Sequence, residues 1–242
     1  MNQIKICIPV YYREDKVKTC LETLRSTDVS GLDVEVLIAV NGCSDEFVPY
    51  LKSLHPWAKI WFPGENIGKP KAINYLAQGT WDGLLVSLDS DLETTDRLWL
   101  KKMTRIFFEQ GRALKLGALG VNYTGKSPHV EFQYKPRHCT INTTQGAFTM
   151  MSEESNLGIG GGVLMTPRNV WNQIGGYSDK KVYGDDDGNY FKDCHTRGLS
   201  VAYPKEIYFH HPDETDLGYT EWKSAVAHGK IDGKEGYFEA GE

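Results

Sequence analysis

No Cys-x-x-Cys pair occurs anywhere in the sequence. Its five cysteines, Cys7, Cys20, Cys43, Cys139 and Cys194, are odd in number and widely scattered. That excludes a disulfide framework or a thiolate zinc site as the organising element and reads as reduced, mostly buried thiols. A basic block is equally missing: 32 acids and 27 bases are mixed along the chain, for a net charge of -5. Nothing here can neutralise a row of phosphates, so nucleic acid is disfavoured as a large electrostatic partner, while a nucleic-acid acceptor reached through a local patch stays open. No run approaches the length of a membrane span, and MNQIKICIPV lacks the apolar region and cleavage site of a signal peptide, so a soluble, cytoplasmic protein is expected. The absence of Gly-x-Gly-x-x-Gly argues against a dinucleotide-dependent oxidoreductase. With no internal repeat or low-complexity linker, and 40% hydrophobic against 24% charged residues, the 242-residue chain reads as an ordinary globular domain with a sizeable core.

What is present is a rhythm. Ile4 to Val10 reads as a buried strand, and EDKVKTCLETL after it repeats Val17, Leu21 and Leu24 at helical spacing. VEVLIAV (34 to 40) is a second β-branched run, after which Asp45 can cap a helix carrying Phe47, Val48, Leu51 and Leu54. Lys59 to Phe62 is a third strand. Pro70 stands where a first helical residue is favoured, ahead of Ile73, Leu76 and Ala77, and Gly79 ends that helix. Leu84 to Leu88 is the fourth strand. TTDRLWLKKMTRIFFEQG follows as a long helix, with Thr95 or Asp96 as cap, Gly111 as terminator, and Trp99, Phe107 and Phe108 as core. Successive βα units imply a parallel sheet with helices on its faces.

After Gly111 the rhythm changes. LGALGVNY and VEFQY read as strands without an intervening helix, and residues 139 to 159 show no clear period, which predicts a long loop whose segment 139 to 157 closes over a ligand. A glycine-flanked strand (Gly160 to Met165), a helix entered through Thr166 and Pro167, the cluster GDDDGNYF, a helix to Arg197, strand pieces at SVAYP and IYFHH, and a polar tail complete the chain. The expected fold class is α/β: one domain whose mostly parallel central sheet is flanked by helices, followed by a mixed second half.

The fourth strand runs into two negative charges, Asp89 and Asp91, separated by Ser90. In open parallel sheets ligands gather at the carboxyl ends of strands. Carboxylates at i and i+2 can share a hard divalent cation whose other positions are filled by phosphate oxygens and water. Pro9, Val10 and Tyr11 close the first strand, followed by Arg13; the proline fixes the backbone and the aromatic can lie against a base. Asn41 and Gly42 close the second strand in a turn able to read a base edge. Gly68 and Lys69 open a helix, placing a cation and free amides where a diphosphate can lie. Singly, these are also what a strand end, a tight turn and a solvated helix start look like; their conjunction on one sheet edge is the signal. Gly160, Gly161 and Gly162 read as close backbone packing beside an acceptor pocket, for which Tyr177, Tyr183 and Trp222 are candidate contacts.

In order along the chain, ICIPVYYRE, VNGCSDE, ENIGKPKAIN, LDSD, GIGGGVLMTPRNVWNQIGGY, YGDDDGNYF and YFHHP resemble the motifs of the family 2 glycosyltransferases, inverting enzymes of the GT-A fold. The resemblance implies a single Rossmann-like GT-A domain over 1–242: a nucleotide-binding half (1–111), an acceptor and catalytic half (112–212), and a C-terminal helix and tail (213–242). It implies metal-dependent transfer of a sugar from a nucleotide diphosphate sugar, a UDP-sugar first, to the hydroxyl of a saccharide or other acceptor. By position, the segment at Pro9 would cradle the base, Asp91 would bind the metal with Asp89 helping it and touching ribose, and one of His210 and His211 would be a later metal ligand. The acidic stretch would supply the catalytic base. Here it is a triple rather than a Glu-Asp pair, with Asp186 first and Asp185 and Asp187 beside it. Val40 stands where the family commonly has a base-holding aspartate, so the identity of the base stays open.

Oxygen and imidazole ligation suits Mn²⁺, with Mg²⁺ as the alternative. Such an ion, with Lys69, would stabilise charge developing on the departing diphosphate, and Asp186 would take the proton of the attacking hydroxyl. A sugar-phosphate nucleotidyltransferase is the rival reading, yet PVYYRED has none of the glycine that its triphosphate loop requires. A non-catalytic nucleotide- or carbohydrate-binding protein of the same fold is the other, and the retained carboxylates argue against it.

Overall fold

The structure, a computed structural model, describes residues 3–125, 136–153, 160–184, 186–212, 217–227 and 230. The first aliphatic run forms β1 (Gln3–Tyr11), and the expected stripe of Val17, Leu21 and Leu24, with Cys20, is the buried face of α1 (Glu14–Arg25). β2 (Asp33–Gly42), α2 (Val48–Ser53), β3 (Ala58–Trp61), α3 (Gly68–Leu76), β4 (Gly83–Leu88) and α4 (Trp99–Gln110) continue the alternation. Every residue of β4 is buried, as a strand covered on both faces requires. β1 pairs in parallel with β2 on one side and β4 on the other, and β3 lies beyond β2.

The second half comprises β5 (Leu116–Leu119), β6 (Asn122–Thr124), β7 (Pro136–Thr143), β8 (Gly146–Glu153), β9 (Val163–Pro167), α5 (Arg168–Ile174), α6 (Asp186–Thr196), β10 (Ser200–Pro204), β11 (Tyr208–His210) and α7 (Leu217–Ala227). Together the strands make a nine-stranded sheet in the order β3-β2-β1-β4-β9-β5-β10-β8-β7, with β11 and β6 as a small second sheet. β9 enters antiparallel between β4 and β5, so continuous parallel pairing stops at β4 and resumes only between β5 and β10. The result is an α/β domain whose large central sheet is parallel in its first half and mixed in its second.

Strand alternation divides the core into two layers. Ile4, Ile6 and Ile8 of β1 face Leu21, Leu51 and Met103 of α1, α2 and α4, whereas Cys7, with Leu37 and Ala39 of β2, faces Ile73, Trp171 and Tyr190 of α3, α5 and α6.

Several local expectations give way. Residues 139–153 are not a loop: β7 and β8 form an antiparallel hairpin closing at Thr143 and Gly146, with Ile141, Phe148 and Met150 turned inward. The outward face mixes Thr140, Asn142 and Thr149 with His138, Ala147 and Met151, and the inward face includes Thr143, so the period-two signal is weak. Its turn is anchored from α4 by Glu109, which accepts the Thr144 amide at 2.8 Å. The remainder of that stretch, 154–159, and VEFQY lie outside the described residues. Asp45 caps nothing, because α2 starts at Val48 with Phe47 before it. Phe108 is 50% exposed, on the outer side of α4, and not core. Gly111 ends α4 with a helical φ of -55°, without the left-handed turn of a glycine cap.

Candidate functional site

Antiparallel entry of β9 is what assembles the site. It carries the glycine run to the end of β4, where the Asp89 amide donates to the Gly162 carbonyl at 2.7 Å. The Tyr123 hydroxyl braces the same run, donating to Gly160 O at 3.1 Å and accepting from the Val163 amide at 2.8 Å. A Cβ at Gly161 would collide with the Asp187 carboxylate, and one at Gly162 would come within 2.8 Å of Leu92, so close approach explains both glycines.

Lys69 is the hub of this cluster. Its ammonium lies 2.8 Å from Asp89 Oδ1, 3.5 Å from Asp186 Oδ2 and 3.4 Å from the Gly161 carbonyl. Burial disfavours the ammonium, but Asp89 and Asp186 outweigh it and hold the Lys69 pKa well above the ordinary lysine value. For Asp89, burial wins over Lys69 and raises the pKa, with Asp91 adding to it. Asp186 opens α6 and is buried (7% exposed), while Asp187 accepts the Gly188 amide at 2.8 Å. Burial first, then the neighbouring Asp186, raises the Asp187 pKa. Asp185 lies outside the described residues.

Asp91 belongs to a second cluster. Its Oδ2 is 2.9 Å from Arg13 Nη1. Burial pushes its pKa up, but His211, Arg13 and Lys223 more than offset this and it ends below the usual carboxylate value. His211 reaches this place because the backbone of His210 bridges Glu93 in both directions, at 3.1 and 2.7 Å. The two histidines then diverge. His210 is exposed with Nδ1 3.4 Å from Thr124 Oγ1, whereas His211 is the histidine close enough to Asp91 to lower its pKa. His211 Nδ1 lies 3.1 Å from the Pro212 carbonyl, which can only accept, so the ring donates there, and in the neutral imidazole the lone pair is then on Nε2.

At the ends of β1 and β2, Pro9 and Val10 are buried, and the Val10 side chain belongs to the core, leaving only its backbone for a ligand. Tyr11 stacks on Trp222 of α7, centroids 5.2 Å apart. Trp222, a candidate acceptor contact by sequence, therefore lies at the end of β1, and its indole N–H is buried with no acceptor among the described residues. Asn41 is buried too, and its side-chain oxygen has no donor among the described residues. Buried polar atoms are nearly always paired, so these two remain available to a ligand. Gly68 departs from expectation: its φ is +81°, its amide donates to Asn66 Oδ1 at 3.0 Å, and the Val182 backbone leaves no room for a Cβ. That amide is spent inside the protein. Ser90 occupies the turn between the aspartates. Tyr177 is core, wedged between Trp171 and Tyr190, and not on a face an acceptor could reach.

Sequence reasoning missed Tyr219 and Lys223. The Arg13 guanidinium lies 4.7 Å over the Tyr219 ring, and Lys223 lies 4.4 Å from that ring and 5.3 Å from Tyr183. The available signal was the spacing of Tyr219, Trp222 and Lys223 at i, i+3 and i+4 on one helical face.

The donor chemistry fits a divalent cation. An ionised carboxylate on Asp91 and a free imidazole nitrogen on His211 are two suitable ligands, and no group of three His, Cys, Asp or Glu ligands exists among the described residues, so a cation would take its other positions from ligand oxygens and water. No helix among the described residues is long and apolar enough to cross a membrane.

The model of a protein family described as Glycosyl transferase family 2 matches residues 5–153. No curated protein sequence matches the chain. Among solved structures, the mannosyltransferase PcManGT from Pyrobaculum calidifontis, in complex with GDP-Man and Mn²⁺, is similar with a TM-score of 0.66 at 14% identity, over 93% of this chain and 61% of that one. GalNAc-T7 with UDP, GalNAc and Mn²⁺ gives 0.68 at 9% identity, over 89% and 45%. S. aureus TarS with UDP-GlcNAc gives 0.65 at 11% identity, over 88% and 59%. The chain thus spans about half to two thirds of the length of these structures, and at such identities they speak for the fold.

Proposed function

Because the chain belongs to glycosyl transferase family 2, matched over residues 5–153, we propose that it moves a sugar from a nucleoside diphosphate sugar to an acceptor hydroxyl, inverting the anomeric centre. The observation that carries this reading is the meeting of Asp89, Asp186 and Asp187, from opposite halves of the chain, around the Lys69 ammonium at the carboxyl end of β4. The complexes of PcManGT with GDP-Man and of TarS with UDP-GlcNAc, and that of GalNAc-T7 with UDP and GalNAc, support the substrate class.

In this reading residues 1–111 bind the nucleotide and 112–212 receive the acceptor. The base lies at the ends of β1 and β2, near Tyr11. Asn41 offers a buried, unpaired acceptor, which suits a base edge that donates. The imide N–H of uracil or thymine and the N1–H of guanine do so, and cytosine at the equivalent position does not; a UDP-sugar is the first choice among these on the uridine nucleotides bound by GalNAc-T7 and TarS. Asp89 faces the ribose. Asp91 and His211 would hold Mn²⁺ or Mg²⁺, which when bound supplies Lewis-acid charge beside the leaving diphosphate. Lys69 adds a fixed, buried positive charge on the same side.

Asp186, the base that the family resemblance puts first, lies 3.5 Å from the Lys69 ammonium and suits the role of an anchor better. Asp187 is the better base: its carboxylate packs on Gly161, in the turn that leads into β9, and its raised pKa makes it a stronger proton acceptor. The acceptor hydroxyl attacks from the face opposite the diphosphate while its proton passes to Asp187. The acceptor is a saccharide or another hydroxyl compound.

The experiment is a calorimetric panel of UDP-, GDP-, dTDP- and CDP-sugars with and without Mn²⁺, followed by product analysis. Selective binding of a uridine donor and release of the nucleoside diphosphate are expected. Release of pyrophosphate from a nucleoside triphosphate and a sugar phosphate would instead establish a nucleotidyltransferase.

A further inference from the structure

The backbone turns sharply where β1 ends. Tyr12 and Arg13 both adopt left-handed conformations, φ 45° and 57°, with the Tyr12 amide tied to the Gly42 carbonyl at 2.8 Å. Consecutive non-glycine residues in this region are uncommon and are kept where surrounding structure demands them. The turn sends Arg13 inward to Asp91, 78 positions along the chain, and the pair is nearly enclosed, with side chains 8% and 14% exposed. Two α7 residues complete the arrangement: the guanidinium rests on Tyr219, and Lys223 approaches the same ring.

A guanidinium and a divalent cation at one carboxylate carry three positive charges into a space where Asp91 answers one of them. In a partly buried site such charges repel strongly, and the repulsion is relieved only if one leaves or further anions enter. We propose that Arg13 is the resident counter-ion of the cation site: it competes with the divalent cation for Asp91, and Tyr219 of α7 holds it in place. The inference rests on the reading of Asp91 as a metal ligand. Cation alone then binds weakly, a nucleoside diphosphate strengthens uptake by adding negative charge, and the movement of Arg13 off Asp91 withdraws a contact from α7. By linkage, whatever strengthens the hold of Arg13 on Asp91 weakens cation binding equally.

The test follows free Mn²⁺ by electron paramagnetic resonance during titration of the full chain, with and without UDP, for wild type, Arg13→Met and Tyr219→Leu. Arg13→Met keeps bulk and loses charge; it should bind Mn²⁺ without UDP at least about tenfold more tightly than wild type, and gain less from UDP. Tyr219→Leu should shift the same way by a smaller factor, and it serves if Arg13→Met does not fold. The inference is overturned if wild type and the folded variants take up Mn²⁺ with UDP while the variants bind Mn²⁺ alone no more tightly than wild type. If wild type and variants take up no Mn²⁺ under either condition, the metal reading fails and carries this inference with it.

Discussion

The Lys69 ammonium sits 2.8 Å from Asp89 Oδ1, joining the first turn of α3 to the carboxyl end of β4. Removing one partner of a mostly buried pair leaves the other uncompensated. Lys69→Met should therefore destabilise the fold by about 2–3 kcal/mol, below the range for full burial because Asp89 is partly exposed. Chemical denaturation measures it. Adding Asp89→Asn should recover part of the loss, since the stranded charge goes too; strictly additive losses would show that the pair is not coupled.

Asp187 gives a prediction with a defined pH sign. Its folded pKa is raised by burial and by Asp186. As pH rises above the ordinary carboxylate range the unfolded chain ionises first, so this residue costs stability through the window up to its folded pKa and fully beyond it. Asp187→Asn should raise Tm at pH 7.5, by about 2–4 °C for each kcal/mol relieved, and leave it nearly unchanged near pH 4. The same variant should lose transfer by at least about a hundredfold in kcat with donor affinity retained. Melting curves at both pH values and steady-state rates test the two halves separately.

The divergence of the histidines is testable by paired substitutions. His211→Ala should weaken Mn²⁺-dependent UDP binding by about tenfold or more, as Asp91→Ala should. His210→Ala, whose ring stands by Thr124, should leave that binding within about twofold of wild type, because it removes no ligand. Calorimetry with and without Mn²⁺ decides; equal effects of the two histidine changes would remove the assignment of His211.

Thiol reactivity should follow burial. Cys139 is exposed on β7, Cys43 is half-buried, and Cys7, Cys20 and Cys194 are buried, with desolvation pushing Cys194 up to about 12. Alkylation at pH 8 followed by peptide mass spectrometry should label Cys139 first and Cys43 slowly, and the other three only after denaturant is added.

Cys139 also marks where sequence reading stops. Mostly buried thiols were expected, and this one is exposed because β7 is the edge strand of a hairpin whose pairing the local pattern concealed. In β7 and β8 the inward residues are few, and the segment reads as a loop until β10 supplies the partner that makes it an edge. The first half was legible for the opposite reason: β1, β2 and β4 are covered on both faces, so their aliphatic runs are unbroken, and α1 shows its stripe without interruption.

The sequence by itself determined the βα alternation, the family likeness and the arrival of two aspartates at the end of β4, because continuous burial and short motifs are written in neighbouring residues. Which cation meets which aspartate was decided only in three dimensions. Arg13 with Asp91, Lys69 with Asp186, and His211 rather than His210 beside Asp91 all join residues far apart in the chain. Those pairings depend on β9 inserting antiparallel beside β4 and on the backbone of β11 bridging Glu93, long-range contacts that leave no local period to read.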